Sequence, residues 1–247
     1  MTYSPGERGG DHPLARLIDN SETYGPHVIA SFLASIAPYG SVMDVGAGGG
    51  RDLGIAKAHC ASARLIAVDA RPSEALRAVA DSVHVVDIEH DRLPAGDESL
   101  DVVMANQVLE HTKEIFWIMH EMTRTLKVGG HMIVGVPNVL SLHNRLLMLF
   151  GRHPTQHKLY SAHVRPFSRR DTEKFLEVCW PGGYRVVKFS GSQFYPFPRR
   201  IARLFARMFP SAAFSVFWLL RKTKSYRGEF LQHPVKAQLE TPFYLGE

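Results

Sequence analysis

The stretch that decides the fold of this 247-residue chain is Val42-Met43-Asp44-Val45-Gly46-Ala47-Gly48-Gly49-Gly50. A short apolar run ends near an acidic residue, glycines follow at every second position, and a helical pattern starts near Arg51. Because glycine has no Cβ, its backbone adopts unusual dihedral angles and approaches a ligand closely. The helix N-terminus beyond the glycines offers free N–H groups. The stretch therefore predicts a buried strand, a tight turn and a helix that hold a small molecule against the main chain.

The spacing of these glycines separates two classes of nucleotide-binding loop. A dinucleotide fingerprint reads G-x-G-x-x-G, and a fingerprint beginning at Gly46 would need its third glycine where Arg51 stands. The pattern instead reads D-x-G-x-G-x-G from Asp44 to Gly50. This spacing argues against a nicotinamide oxidoreductase.

Strands and helices alternate along the chain on both sides of this loop. Alternation of this kind predicts βαβ units and a parallel sheet covered by helices. The periodicity of the apolar residues predicts strands over residues 41–45, 64–68, 83–86, 100–105, 131–136, 184–190 and 214–222. It predicts helices over 51–61, 72–81, 110–126, 140–150, 169–179 and 199–209, after an interrupted helical segment over 14–37.

The length and composition predict a single domain. We expect a flexible tail over 1–13, one domain over 14–224 with substrate-shaping segments at 138–168 and 192–213, and a second tail over 225–247, which has no clear period. The N-terminus lacks the apolar region of a signal peptide, and no run of about 18 apolar residues predicts a transmembrane span. With two cysteines in helical patterns, these features predict a cytoplasmic protein.

Three aspartates end three successive early strands or their loops, namely Asp44, Asp69 and Asp87. In an open parallel sheet, ligands bind at the carboxyl ends of the strands. Asp69 follows Gly46 by 23 positions, close to the spacing of about 20 typical of a carboxylate that binds ribose. Asp87 is followed by Ile88, which places a carboxylate beside an apolar wall and suits an adenine. The sequence therefore predicts a nucleoside-containing ligand at this edge of the sheet.

Several of these motifs resemble those of class I S-adenosylmethionine-dependent methyltransferases. The D-x-G-x-G-x-G loop resembles motif I of that superfamily. The stretches 93–103 and Asn106-Gln107-Val108-Leu109-Glu110-His111 resemble the region around motif IV in the subgroup called type 11, and 126–130 resembles its turn into strand 5. The resemblance covers residues 42–136. It implies a Rossmann-like seven-stranded sheet in the order 3-2-1-4-5-7-6, with strand 7 antiparallel and helices on both faces.

The resemblance also implies which residues bind S-adenosylmethionine. The loop at 46–48 would line its methionine part, and Asp44 would orient its ammonium group. Asp69 would hold the ribose, and the residues after the second and third strands would meet the adenine. The backbone of Asn106 would lie near the amino group and the methyl. The implied set is Asp44, Gly46, Ala47, Gly48, Asp69, Ala70, Asp87, Ile88 and Asn106.

Two histidines are candidates for a catalytic base, which methyl transfer to a neutral hydroxyl requires. His111 follows the fourth strand directly, and His163 lies in a stretch that similar methyltransferases place near the substrate entrance. The alternative for each is a purely structural role. The further histidines 143, 153 and 157 suggest a metal only weakly, because no carboxylate or cysteine stands at regular offsets from them. No metal is expected.

The C-terminal third is basic and aromatic. Residues 178–228 contain ten lysines and arginines and no acidic residue, in a chain of net charge +5. The helix at 199–209 carries four arginines on one face and five apolar residues on the other. Such a helix is typical of contact with a membrane surface, so peripheral association with the inner membrane face is one interpretation. The alternative is a helix that packs its apolar face on its own domain, and nucleic acid is a less favoured partner.

Together these features predict methyl transfer from S-adenosylmethionine to a small molecule. The expected acceptor is an oxygen of a secondary metabolite, a quinone-like ring, or a glycan- or lipid-linked substrate. The alternatives are a small-amine N-methyltransferase, an RNA methyltransferase and a catalytically silent cofactor-binding regulator. RNA adenine methylation often uses N/D-P-P-Y/F after strand 4, and Asn106-Gln107-Val108-Leu109 departs from that motif. The sequence predicts neither the acceptor nor the oligomeric state.

Overall fold

A computed structural model describes residues 20–247 of the chain. Within this range seven strands form one sheet, in the order β3-β2-β1-β4-β5-β7-β6, and β7 runs antiparallel to both β5 and β6. The predicted fold, strand order and antiparallel strand are confirmed. The predicted tail 1–13 and the start of the first helical segment lie outside the described residues. The strands are β1 Ser41–Val45, β2 Arg64–Asp69, β3 Ser82–Val85, β4 Leu100–Asn106, β5 Leu126–Pro137, β6 Tyr184–Ser192 and β7 Ser215–Lys222.

Eight α-helices lie within the described range. Several begin where the sequence provides a capping residue: the Ser73 hydroxyl accepts a hydrogen bond from the Leu76 N–H, and Ser168 caps its helix in the same way. The helices are α1 Pro26–Ile36, α2 Arg51–His59, α3 Glu74–Val79, α4 Ile115–Thr125, α5 Leu142–Leu149, α6 Arg169–Cys179, α7 Arg199–Met208 and α8 Glu229–Lys236. Short 3-10 turns occur at Asn20–Tyr24, Leu109–His111 and Pro210–Ala212.

The two faces of the sheet carry separate apolar cores. Successive strand residues point to opposite faces, so Val42 packs with α1 and α2 whereas Met43 packs with α4, α6 and α8. Both side chains are fully buried. Because helices cover both faces, the edge at which the parallel strands end is the place left for a ligand.

The helix predicted over 110–126 begins later than expected. A 3-10 turn at Leu109–His111 precedes it, and α4 starts at Ile115. The Glu89 carboxylate accepts the N–H groups of Lys113 and Glu114, which provides the N-terminal cap that the local sequence lacks. This capping residue comes from the loop after β3, so the helix start could not be read from residues 110–126 alone.

The segment 225–247, which shows no clear period in sequence, contains α8. This helix packs on α4 and α6, and its Phe230 is fully buried. Among the residues that the structure describes, no helix combines the length and apolar character needed to cross a membrane.

Candidate active site

The glycine loop turns back tightly against the end of β2. The N–H groups of Gly46 and Ala47 both donate to the Val68 carbonyl, at 2.8 and 3.1 Å. Gly46 has a φ of 75°, in the left-handed region. A Cβ at this position would lie 2.4 Å from a methyl group of Val108. Gly46 is therefore required both by the backbone conformation and by the close approach of the segment after β4.

Asp69 ties the glycine loop to the end of β2. Its carboxylate accepts hydrogen bonds from the Gly48 N–H at 2.8 Å and from the Arg71 N–H at 2.7 Å. A carboxylate has about four lone-pair positions, so these two bonds leave capacity for a ligand. Asp69 therefore holds the loop and also faces the space beside it.

That space is a cavity of about 510 Å³ at the carboxyl ends of the first strands. It is lined by five of the predicted cofactor residues, namely Gly46, Asp69, Ala70, Asp87 and Ile88. Five further lining residues were not predicted: Val85, Val86, Glu89, Val108 and Thr112. The sequence held a signal for two of these, because Val85 and Val86 directly precede Asp87 at the end of a strand. Nothing local marked Val108 and Thr112 as lining residues.

Asp87 is held by its own loop. It accepts hydrogen bonds from the Glu89 N–H at 3.0 Å and from His90 Nδ1 at 3.0 Å. The His90 hydrogen bond, followed by that of the Glu89 N–H, lowers the pKa of Asp87 below its ordinary value. Asp87 therefore carries a negative charge at neutral pH at the cavity wall.

Two buried carboxylates lie behind the glycine loop. Burial, and then the nearby Asp52 carboxylate, raise the pKa of Asp44 well above its ordinary value. Arg51 binds Asp52 through two hydrogen bonds, at 2.8 and 2.9 Å, and its guanidinium lies 4.8 Å from the centroid of the Tyr24 ring. Burial thus favours the uncharged form of Asp44, while the Arg51 guanidinium offsets the charge of Asp52.

Asn106 and Ala47, also predicted to bind the cofactor, do not line the cavity. The Asn106 side-chain amide donates to Asp52 Oδ2 at 2.8 Å and to the Tyr24 carbonyl at 3.0 Å. Ala47 is buried in the core beneath the loop. The Asn106 side chain thus joins β4 to the start of α2.

The structure brings the two candidate catalytic histidines together. The rings of His111 and His163 lie 4.6 Å apart, centroid to centroid, in an edge-to-face arrangement. His111 Nδ1 lies 3.2 Å from the Ala162 carbonyl. The Glu110 carbonyl accepts the Val164 N–H at 2.8 Å. Main-chain hydrogen bonding therefore fastens the segment that carries His163 to the end of β4.

Glu110, which was not predicted as a site residue, is the third member of this group. Its side chain is 1% exposed, and its Oε1 lies 3.9 Å from His111 Nε2. Burial raises the pKa of Glu110 to about 7. Burial, and then the charges of His111 and His157, lower the pKa of His163 to about 4. At neutral pH, His163 is therefore uncharged with a free lone pair, although it is a weak base.

The arginines of α7 differ in their contacts. Arg199 and Arg203 bind the buried carboxylate of Glu22, with Arg203 at 2.7 and 2.9 Å, although both arginine side chains remain partly exposed to solvent. Burial alone would raise the pKa of Glu22, but the Arg203 hydrogen bond and the neighbouring positive charges lower it overall. The small residues Ala202 and Ala206 pack inward. The exposed residues of this helix and its end are Arg199, Arg200, Ile201, Leu204, Arg207, Met208 and Phe209.

Comparison with known proteins shows what this chain is similar to. Residues 43–134 match the family model described as "Methyltransferase domain". A protein of Streptomyces fradiae, named "Uncharacterized 37.1 kDa protein in transposon TN4556", is 33% identical over 111 residues, which cover 42% of this chain. The matched segment spans about a third of that relative, 32% of its length.

Solved structures share the fold at low sequence identity. A Haloferax volcanii protein solved in complex with a methyltransferase activator has a TM-score of 0.60 and 17% identity, over 87% of this chain and 96% of that one. The 1,6-didemethyltoxoflavin-N1-methyltransferase of Burkholderia thailandensis, with bound S-adenosylhomocysteine, has a TM-score of 0.55 and 13% identity, over 90% and 94%. An S-adenosylmethionine-dependent methyltransferase of Archaeoglobus fulgidus has a TM-score of 0.52 and 18% identity, over 84% and 99%.

Proposed function

We propose that this chain, whose residues 43–134 match the family model described as "Methyltransferase domain", is a class I S-adenosylmethionine-dependent methyltransferase that transfers a methyl group to an oxygen of a small-molecule acceptor. The observation that carries the proposal is the cavity at the ends of β1–β3, where Asp69, Asp87 and the glycine loop converge. The family match and the confirmed fold support the resemblance found in the sequence.

The residues around the cavity fit S-adenosylmethionine. Asp69 would accept the ribose hydroxyls, and Ala70, Asp87 and Ile88 would meet the adenine. The methionine end would lie along the loop at 46–48, where its ammonium group would donate to Asp44 and its positive charge would favour the ionised form of that carboxyl. When bound, S-adenosylmethionine supplies a methyl group that its sulfonium already activates.

Polar groups beside the cavity support an oxygen acceptor. Val108 and Thr112 line the cavity, and Glu110 and His111 lie between them in the chain. The His111 ring is partly exposed, so it is accessible to an acceptor hydroxyl and can take its proton. His163 would orient the His111 ring rather than act as the main base, because its pKa of about 4 makes it a weak proton acceptor.

Calorimetry with purified protein tests the cofactor. We expect S-adenosylmethionine and S-adenosylhomocysteine to bind, and NADH not to bind. Asp69→Asn should weaken S-adenosylmethionine binding about 10- to 100-fold, since hydrogen bonds to a charged group contribute about 1.5–3 kcal/mol. Asp81→Asn is the matched control, because Asp81 also accepts a backbone N–H, from Leu65 at 2.8 Å, but at the opposite end of β2. Equal affinity of the two variants would show that the ribose lies elsewhere.

A release assay tests the acceptor atom. Hydroxylated, aminated and RNA acceptors are incubated with the protein and S-adenosylmethionine, and S-adenosylhomocysteine is quantified. We expect release with hydroxylated acceptors and loss of most turnover in His111→Ala without loss of cofactor affinity. Release with amines or RNA alone would refute the oxygen acceptor, and cofactor binding with no release across the panel would favour the regulatory alternative.

We further propose that α7 and α5 contact an anionic lipid surface, which would suit a lipid-linked acceptor. The exposed apolar residues of α7 alternate with exposed Arg200 and Arg207. Leu149 and Phe150, at the end of α5, are each 77% exposed. The start of α5 contacts the loop before α7, where the rings of His143 and Tyr195 lie 4.5 Å apart. Apolar side chains beside positive charges complement acyl chains beside anionic headgroups.

Vesicle co-sedimentation tests this contact. The wild type should bind vesicles containing anionic phospholipid more strongly than zwitterionic vesicles. Arg200→Glu/Arg207→Glu should abolish the difference, whereas the charge-matched control Arg64→Glu/Arg77→Glu, in β2 and α3 toward the opposite edge of the sheet, should retain it. Arg203 is left intact because it pairs with Glu22. Equal partitioning of both double variants would refute a surface at α7.

A further inference from the structure

One ligand atom each from Glu110, His111 and His163 lies within 4.8 Å of the others. The first two residues are adjacent at the end of β4, and the third comes from the segment that returns to it. The prediction of no metal rested on histidines 143, 153 and 157, which have no carboxylate or cysteine at regular offsets. The present cluster consists of other residues, and the main-chain hydrogen bonds of Glu110 to Val164 and Arg165 bring the distant His163 to it.

Two atoms of this group are buried and have no hydrogen-bond partner among the described residues. They are Oε2 of Glu110 and Nδ1 of His163. A buried polar atom without a partner costs free energy, about 1–3 kcal/mol, and its presence calls for a ligand, a water or an ion. Because both unpaired atoms belong to one cluster, a single ligand bound between them would satisfy both.

The third side chain is oriented as a metal ligand is. The His111 Nδ1 lies within hydrogen-bonding distance of the Ala162 carbonyl, at 3.2 Å. If Nδ1 carries the proton and donates it to that carbonyl, the Nε2 lone pair faces Glu110, 3.9 Å from its Oε1. Metal-binding histidines almost always donate their second N–H to a carbonyl or carboxylate in this way.

We propose that Glu110, His111 and His163 bind a divalent metal ion of the zinc class. Two imidazoles and one carboxylate suit Zn²⁺, Co²⁺ or Mn²⁺ rather than Mg²⁺, which prefers an all-oxygen shell. Three protein ligands leave a position open, as catalytic rather than structural zinc sites do.

The open position would take the acceptor oxygen, a role that rests on the methyl transfer proposed above. Val108 and Thr112, on either side of Glu110 and His111 in the chain, line the cofactor cavity. A hydroxyl bound to the ion would have a lowered pKa and would release its proton to water. The two histidines would then be ligands, and the ion would replace a free base.

Metal titration tests the site without any acceptor. Chelator-treated full-length protein is titrated with Zn²⁺ against a chromogenic chelator, and with Co²⁺ while its visible absorption is recorded. We expect one equivalent to bind. Glu110→Gln and His163→Asn should each weaken binding by at least about 10- to 100-fold. His153→Asn, which removes an exposed histidine of the same segment, should bind as the wild type does.

The outcomes separate this proposal from the proposed function. Failure of the wild type to take up either ion, or wild-type affinity in both cluster variants, would overturn the metal site. If Glu110→Gln does not fold, His163→Asn, a half-buried substitution, still decides the result. Calorimetry with S-adenosylmethionine is run on the chelator-treated protein. Cofactor binding without metal binding would refute the metal site alone. Metal binding without cofactor binding would refute the proposed function.

Discussion

Alanine replacements at three glycines of the loop separate backbone strain from steric overlap. Gly49 has no left-handed φ, and no atom lies within 4 Å of the position that a Cβ would take there, so Gly49→Ala should change the free energy of unfolding by less than about 0.5 kcal/mol. Gly48 has a φ of 55° but open space around a Cβ, and Gly48→Ala should cost about 1–2 kcal/mol. At Gly46 the left-handed φ causes the same strain, and a Cβ would also lie 2.4 Å from Val108. Gly46→Ala should therefore lower the free energy of unfolding by about 2–5 kcal/mol in total.

Urea unfolding of the ligand-free protein measures this series. Val108→Ala isolates the steric contribution to the destabilisation by Gly46→Ala. It removes the two Val108 methyl groups, which lie 2.4 and 3.1 Å from the position of the new Cβ. The double variant should be less destabilised than the sum of the two single variants, by about 1–3 kcal/mol. Equal destabilisation by Gly46→Ala and Gly48→Ala, or strict additivity with Val108→Ala, would refute the close approach of the β4 end to the loop.

The remaining predictions concern buried groups remote from the cavity, and urea unfolding checks each of them. Glu22→Gln should cost about 3 kcal/mol because it removes a buried carboxylate that pairs with two arginines, whereas the exposed Glu74→Gln should cost less than about 0.5 kcal/mol. Because the pKa of Glu22 is lowered from 4.5 in the folded state, this stabilisation is present above about pH 4.5 and is lost as the pH falls below it. The difference between wild type and Glu22→Gln should therefore shrink between about pH 6 and pH 3, and a constant difference would contradict the ion pair. Phe230→Ala should lower the free energy of unfolding by about 3–5 kcal/mol. Val235→Ala, on the exposed face of α8, should lower it by less than about 0.5 kcal/mol. An equally small loss in both variants would mean that α8 does not support the fold.

The parts of the structure that local sequence predicts well are those whose causes are local. β1 occupies the predicted residues 41–45 because an apolar run and a glycine turn bound it on both sides. The cap of α6 by Ser168 likewise depends only on adjacent residues. The places of Asp69, Asp87 and Ile88 in the cavity lining followed from strand ends, since parallel strands bring their ends to one edge.

The parts that sequence did not predict depend on contacts between distant residues. Glu110 joins His163 only after the chain has run through 138–168 and returned. The ion pair of Arg203 joins it to Glu22, which is 181 residues away in the sequence. α8 has Pro234 inside it and no marked period, and it forms because Phe230 fills a space under α4 and α6. In all three cases the contacting residues are too far apart in the sequence for a local periodicity to reveal the contact.

The attachment of segment 138–168 to the end of β4 has a consequence for how such proteins diversify. The Glu110 carbonyl accepts the N–H groups of Val164 and Arg165, and these bonds join main chain to main chain. Any residue other than proline can supply such an N–H. The length and side chains of the segment before this anchor can therefore change over generations while its return point stays fixed, so that the surface beside His111 can vary without any change in the glycine loop.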